Sequence, residues 1–203
     1  LAEAVASQGA SVPVIAVSGG RTFGRGVSVV RADQRGGARA LAEHLTTLGH
    51  RDIACVAGPQ EWFEARERVA GWREAMVQAG LPMREPLVGS WEARWGYVAG
   101  QNLVEDGLPD AVMCANDEVA VGLLRAFAEA GVSVPGDVSV AGFDDVPMAA
   151  YAGPGLTTVR QDFADLGRCA LEAVSYALDG ESVDTYVRPT RLVVRGSTGV
   201  CPR

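Results

Sequence analysis

The sequence predicts an open, doubly wound α/β fold with parallel sheets, on three observations. Short runs of β-branched and small apolar residues alternate with longer segments of helical period. Parallel neighbours need a crossover, and a helix between consecutive strands supplies one. Glycines stand where those helices should stop, and no internal repeat or low-complexity tract breaks the alternation.

Residues 1–8 read as the end of a helix stopped by Gly9. Residues 12–17 and 27–30 read as strands, parted by the turn Gly19-Gly20-Arg21-Thr22-Phe23-Gly24. Ala38, Leu41, Ala42, Leu45 and Leu48 recur at helical spacing, and Gly49 ends that helix. Residues 53–57 form the next strand, closed by Gly58-Pro59; a helix over 64–79 follows, with Gly80 at its end. A short strand at 86–89 precedes a helix at 94–105. Residues 111–115 are a strand, and Asp117 can cap a helix whose Val119, Leu123 and Phe127 line one face until Gly131. Strands at 138–143 and 156–160 lead into a long helix marked by Phe163, Leu166, Ala170, Val174 and Ala177, ending at Gly180. Strands at 185–190 and 192–194 close the chain.

With 203 residues and 48% hydrophobic side chains, the chain has enough core for one large or two small domains. Its 18 basic residues, all arginine, face 25 acidic ones for a net charge of −7, which argues against this polypeptide gripping nucleic acid by itself. No apolar stretch approaches the roughly 20 residues needed to cross a bilayer. No basic-then-apolar leader pattern opens the sequence, so a cytoplasmic protein is expected. Cys55, Cys114, Cys169 and Cys201 have no CxxC spacing and read as reduced thiols.

Open parallel sheets bind ligands beyond the carboxyl ends of their strands. Ser18, Gln60, Trp62, Trp91, Asn116, Asp117, Asp144, Asp145 and Gln161 follow predicted strands. That set pairs neutral and acidic hydrogen-bonding groups with indoles. It suits a neutral polyhydroxylated ligand, whose hydroxyl protons the oxygens accept and whose C–H face the indoles cover.

Several of these residues have plainer roles open to them. Asp117 suits a helix cap better than a ligand contact, whereas Asn116 has no evident local duty and reads as a contact. One of Asp144 and Asp145 can simply shape the turn into Pro147, and Trp91 or Trp95 can be core. Arg66 and Arg68 can lie on a solvated helix face with Glu64 or Glu67, and His44 and His50 read as structural. No GxxxxGK[ST], HExxH or GxSxG pattern is present, so no catalytic residue, metal or cofactor is expected.

Several runs together resemble the lactose-repressor (LacI/GalR) family of transcription regulators. They include residues 37–45 with 48–54 (Leu48-Gly49-His50), Ala65-Arg66-Glu67-Arg68-Val69-Ala70-Gly71-Trp72, and Cys114-Ala115-Asn116-Asp117-Glu118. Val134-Pro135-Gly136-Asp137 through Gly142-Phe143-Asp144-Asp145, Leu156-Thr157-Thr158-Val159-Arg160-Gln161 and the final Arg195-Gly196-Ser197-Thr198 belong to the same set. The resemblance implies a periplasmic-binding-protein-like effector core of two lobes with a sugar-like ligand between them. Residues 1–30 and 162–190 would form the remainder of the first lobe, and 31–161 with 191–203 the second. By motif, Arg68 would fork onto the ligand, Asn116 and Asp144 would hydrogen-bond it, Trp91 would stack on it, and Gln161 would stand where the chain recrosses. Trp62 would add an aromatic wall.

The family often has Asp-Arg where this chain reads Ser18-Gly19-Gly20-Arg21, which removes one expected acidic contact. A fragment of a longer regulator is the expectation, since the sequence opens at Leu1 inside the first lobe, without a helix-turn-helix headpiece. The implied partners are a small-molecule effector, a second copy of the chain, and operator DNA through that headpiece, with no membrane. The dimer surface is expected on the second lobe, at the helix of 119–130 and at Met148-Ala149-Ala150-Tyr151. A transport-type sugar-binding receptor and a sugar-modifying enzyme using Asp144 or Asp117 as base stay open as alternatives.

Overall fold

In the computed structural model, which describes residues 14–17, 27–179 and 185–201, the strands and helices sort into two units. One comprises Leu1–Asp33 and Asp162–Pro189, the other Gln34–Gln161 and Thr190–Arg203. The expected divisions after residues 30 and 190 fall instead after Asp33 and Pro189. The cause is that Arg31 and Ala32 still pair with the strand at Tyr186–Arg188, and the Asp33 N–H donates to the Arg188 carbonyl at 2.8 Å. The expected helix at 1–8, the glycine turn at 19–24, Ser18 and Gly180 lie outside the described residues.

In the first unit, β1 (Val14–Val17), β2 (Val27–Ala32) and β8 (Tyr186–Arg188) form a parallel sheet in the order β1-β2-β8. Helix α5 (Phe163–Leu178) covers it, packing Leu166, Cys169 and Ala173 against Val30 and Ala32.

The second unit is built around β3 (Ile53–Ala57), all five residues of which are buried. With β4 (Leu87–Val88), β5 (Ala111–Cys114) and β6 (Ser139–Ala141) it forms a parallel sheet in the order β4-β3-β5-β6. Such a strand shows no polar alternation, because helices cover both faces. Ile53, Cys55 and Ala57 point into one layer, with α1 (Gln34–Thr47) and α2 (Phe63–Gln78). Ala54 and Val56 point into the other, with α3 (Ala93–Asp106) and α4 (Asp117–Glu129). The period of two along the strand thus serves two cores at once. Trp72 and Phe127, fully buried in these two cores, each contribute on the order of 3 kcal/mol by leaving water.

Small residues set how closely the helices approach. A Cβ on Gly122 would stand 1.8 Å from the Ala93 carbonyl oxygen, and one on Gly96 would stand 1.9 Å from that of Val119, so α3 and α4 touch backbone to backbone.

Two expectations change here. The strand expected at 138–143 is only Ser139–Ala141. Beyond it, the Gly142 and Asp144 N–H groups donate to the Thr157 and Val159 carbonyls, so the chain leaves β5 to lie beside β7 (Thr158–Arg160). β7 pairs antiparallel with β9 (Arg191–Val193), since the chain leaves the second unit through one and returns through the other. The apolar face of α4, expected at a dimer surface, belongs to the core: Val119, Leu123 and Phe127 have no exposed surface. Of the expected dimer segments, Met148 and Tyr151 are exposed, at 54% and 86%.

Candidate functional site

The carboxyl ends of β3, β5, β6 and β7 open on one rim of the second unit, and there a buried arginine organises the polar groups. Arg68 lies on α2 in register with Ala65, Val69, Trp72 and Met76, the buried face of that helix. It is 6% exposed, so the solvated-face reading of this arginine is overturned. A buried guanidinium must find partners. Its Nε donates to Gln34 Oε1 at 2.8 Å, Nη1 donates to the Ala115 carbonyl at the end of β5, and Nη2 lies 3.1 Å from Asp144 Oδ1.

Two glutamines close the ring. Gln34 Nε2 donates to Gln161 Oε1 at 2.7 Å, and Gln161 Nε2 donates to Asp144 Oδ1 at 2.6 Å. Arg68, Gln34, Gln161 and Asp144 thus form one closed circuit. The guanidinium also lies 3.9 Å from the Phe143 ring centroid and 5.5 Å from that of Trp91, within cation–π range of both. Asn116 joins through Trp91, donating from Nδ2 to its carbonyl at 3.0 Å. Trp62 meets Trp91 edge to face at 6.3 Å, and Trp91 itself rests on Gly58, where a Cβ would come within 2.7 Å of the indole.

The structure therefore brings six of the seven expected site residues into one connected group: Arg68, Trp91, Asn116, Asp144, Gln161 and Trp62. Ser18 is outside the described residues. The cap falls on Asn116 and not on Asp117, the residue expected there. Asn116 is the cap of α4, its Oδ1 accepting from the Val119 N–H at 2.8 Å. Asp117 is buried beneath the rim, accepting from Thr158 Oγ1 at 2.6 Å and from the Val146 N–H at 2.8 Å. Asn116 takes the cap because it is the last extended residue, at φ −151° and ψ 176°, the conformation a cap requires.

Asp144 and Asp145 sit at φ 111° and 56°, a region that aspartate and asparagine enter more readily than most residues. The turn sends them to different partners. Asp144 faces Arg68, while Asp145 accepts from Arg160 Nε at 2.5 Å and Arg195 Nη2 at 2.6 Å, tying together the ends of β7 and β9. Burial pushes the Asp144 carboxyl above its ordinary range against the pull of Arg68, and it pushes Asp117 up to about 6. Burial also lowers Arg68, opposed by Asp144. For Asp145 the two arginines outweigh burial and hold it below the usual range.

Among the described residues several polar valences stay unused on this rim. Arg68 engages three of its five N–H donors, Asp144 Oδ2 accepts no hydrogen bond, and Asn116 keeps one N–H. No group of three metal-ligating side chains lies among the described residues. Sequence reasoning missed Gln34 and Phe143. Gln34 follows β2 as the other candidates follow their strands, and a strand drawn to Ala32 would have found it.

The remaining pieces have local duties. Arg66 donates to the Gln60 carbonyl at 2.7 Å, and Trp95 Nε1 donates to that of Ala57 at 3.1 Å. His44 and His50 reach Thr198 Oγ1 and the Gly199 carbonyl at 3.1 and 3.0 Å, tying the C-terminal segment to α1 and the turn after it. All four cysteines are free thiols. No helix among the described residues is long and apolar enough to cross a membrane.

Residues 42–198 match the family model of a periplasmic binding protein-like domain. The chain is 35% identical to the lactose operon repressor of Escherichia coli (strain K12) over 164 residues, 80% of this chain and 46% of that protein. The chain spans about half the length of the curated relatives it matches, from 46% to 56%. Its fold superposes on a LacI family transcriptional regulator from Enterococcus faecium with bound ribose at a TM-score of 0.85 and 28% identity, covering 93% of this chain and 71% of that one. It superposes on the lac repressor dimer bound to operator and the anti-inducer ONPF at 0.85 and 32%, covering 98% and 69%.

Proposed function

Since this chain belongs to the LacI family of transcriptional regulators, through its periplasmic-binding-protein-like domain, we propose that it is the effector-sensing part of a cytoplasmic repressor and binds a sugar or sugar-like molecule at the Arg68 rim. Arg68, Asp144, Asn116 and Gln161 supply the hydrogen bonds, and Trp91 with Trp62 covers the apolar face of the ring. That the relatives it matches are transcriptional repressors supports a sensor rather than an enzyme.

The observation that carries this reading is the buried Arg68–Asp144 pair, set against Trp91 with unused donors and an unused acceptor. A guanidinium and a carboxylate side by side can serve one hydroxylated ligand in both senses, donating to one oxygen and accepting from the next. Ligand binding shifts the protein between two arrangements only through its differential affinity for them. In this proposal the switch acts on operator DNA through a headpiece outside these 203 residues. A homodimer presents two such headpieces. The related repressor dimer bound to operator and the exposed Met148 and Tyr151 support that assembly.

Thermal-shift screening against a panel of neutral sugars, ribose included, tests the site on wild type, Arg68→Ala and Asp144→Asn. A ligand at one hundred times its Kd adds about 2.7 kcal/mol, which raises the wild-type midpoint by roughly 5–10 °C. Both variants should lose most of that rise. Equal stabilisation of all three proteins would overturn the assignment.

A further inference from the structure

On the far side of α2 from Arg68, a groove of about 710 Å³ runs between α1 and α2. Arg35 and Arg39 border it from α1, one helical turn apart, and Arg66 and Arg73 from α2, two turns apart. Val69 and Ala70 form an apolar floor between them. Four of the chain's eighteen bases thus meet around one concavity, in a protein whose net charge is −7.

The carboxylates nearby are unevenly shared. Glu74 lines the groove itself and is engaged by Arg35, and Glu43 stands 3.6 Å from Arg39. Arg66 and Arg73 form no ion pair among the described residues. Arg66 is held by the Gln60 carbonyl and by the face of Phe63 at 5.9 Å, contacts that fix its guanidinium without neutralising it. The volume is that of a site for a small molecule, 300–1,000 Å³. Guanidinium forks at its edges match phosphate oxygens in geometry and charge.

We propose that the α1–α2 groove is a second ligand site, for a small phosphorylated molecule, held by Arg66 and Arg73 with Arg35 and Arg39 on the opposite bank. The site is separate from the Arg68 rim although both use α2. Residues 66 and 73 lie on the exposed face of the helix, and residue 68 lies on its buried face. Arg35 and Arg39 are shared with Glu74 and Glu43, whereas the exposed heads of Arg66 and Arg73 carry charge that no ion pair among the described residues offsets, and a phosphate could take it up.

Isothermal titration of the full chain with ribose 5-phosphate, inorganic pyrophosphate and neutral ribose tests this on wild type, R68A, R66E/R73E and the milder R66Q/R73Q. The expected result is saturable binding of ribose 5-phosphate, at least about tenfold weaker in both double variants and unchanged within about twofold in R68A. Raising salt from about 50 to about 200 mM should weaken it further. Pyrophosphate binding with the same variant pattern would assign recognition to the phosphate alone, and its failure to bind would assign it to the sugar phosphate as a whole. No saturable binding, or binding lost in R68A and retained in R66E/R73E, would overturn the proposal. Both positions are exposed, so thermal midpoints of the double variants near that of wild type would confirm that folding is intact.

Discussion

Arg68 and Asp144 should prove energetically inseparable, and a double-mutant cycle measures how far. The variants are Arg68→Met and Asp144→Asn. Methionine keeps the apolar stem of the arginine, and asparagine tolerates the positive φ of 111° that other residues would resist. Arg68→Met leaves the Asp144 carboxylate buried with only the Gln161 N–H and also strips donors from Gln34 Oε1 and the Ala115 carbonyl. Removing one partner of a buried pair costs about 3–5 kcal/mol; with the Asp144 side chain 22% exposed, about 3 kcal/mol is the appropriate figure. Asp144→Asn strands the guanidinium but keeps an acceptor oxygen for it, and should cost about 2 kcal/mol. In the double variant no uncompensated charge is left, so its loss should be about 3 kcal/mol rather than 5, a coupling of about 2 kcal/mol. Urea unfolding followed by tryptophan fluorescence reads this directly, since all four tryptophans (Trp62, Trp72, Trp91, Trp95) lie in the second unit. Additive losses, within about 0.5 kcal/mol, would show that the pair does not organise the rim.

Two further perturbations test the frame beneath the site. Asp117, pushed from 3.8 up to about 6 by burial, holds its proton in the folded state where the unfolded chain has released it. Its contribution therefore falls as pH rises from about 4 to about 6, by roughly 3 kcal/mol in all, and stays lost above that. Asp117→Asn, compared with wild type by denaturant unfolding at each pH, should remove that part of the profile and be the more stable protein at pH 7; parallel profiles would refute the assignment. Gly122→Ala should cost about 2 kcal/mol in thermal or urea unfolding, because the new Cβ meets the Ala93 carbonyl oxygen at 1.8 Å and forces α3 from α4.

Much of the frame was legible because it rests on local periodicities. The strand at Ile53–Ala57 and the helices after it carry their boundaries in glycines and apolar spacing. The candidate site was legible by a topological rule, that ligands gather beyond strand ends. Where the reading failed, the deciding partner was remote in sequence. Arg68 reads as a ligand contact only by motif, with a solvated helix face as its plainer alternative, yet the spacing 65, 68, 69, 72, 76 puts it on the apolar stripe of its helix. An arginine in that register is a buried charge that must be paired, and this signal was present in the sequence. Asp145 gives the opposite lesson. Its partners Arg160 and Arg195 lie 15 and 50 residues away, and nothing local distinguishes it from Asp144. The cap could fall on Asn116 instead of Asp117 because both residue types cap helices and only the backbone angles decide which one does.

The same residue type serves two purposes on α2, and the neighbouring carboxylates decide which. Beside Arg68 stand Asp144 and, below it, Asp117, both drawn toward the protonated form by burial. An anionic guest there would meet Arg68 and Asp144 together, gaining from one what it loses to the other. A neutral guest with adjacent hydroxyls avoids that conflict. One oxygen accepts from a free N–H of Arg68 while its neighbour donates to Asp144 Oδ2, and the glutamine bridge need not break. Gln34 and Gln161 are the first and last residues of the longer stretch of this unit, so a guest that did break their hydrogen bond would act at two of the three points where the chain passes from one unit to the other. Across the helix, Arg66 and Arg73 form no ion pair among the described residues, and Glu74, the carboxylate that lines their groove, is engaged by Arg35. A neutral sugar gains little from them, and a phosphate gains their full charge. One helix can therefore present a diol-selective face inward and a phosphate-selective face outward, with the discrimination set by where the acids are rather than where the arginines are.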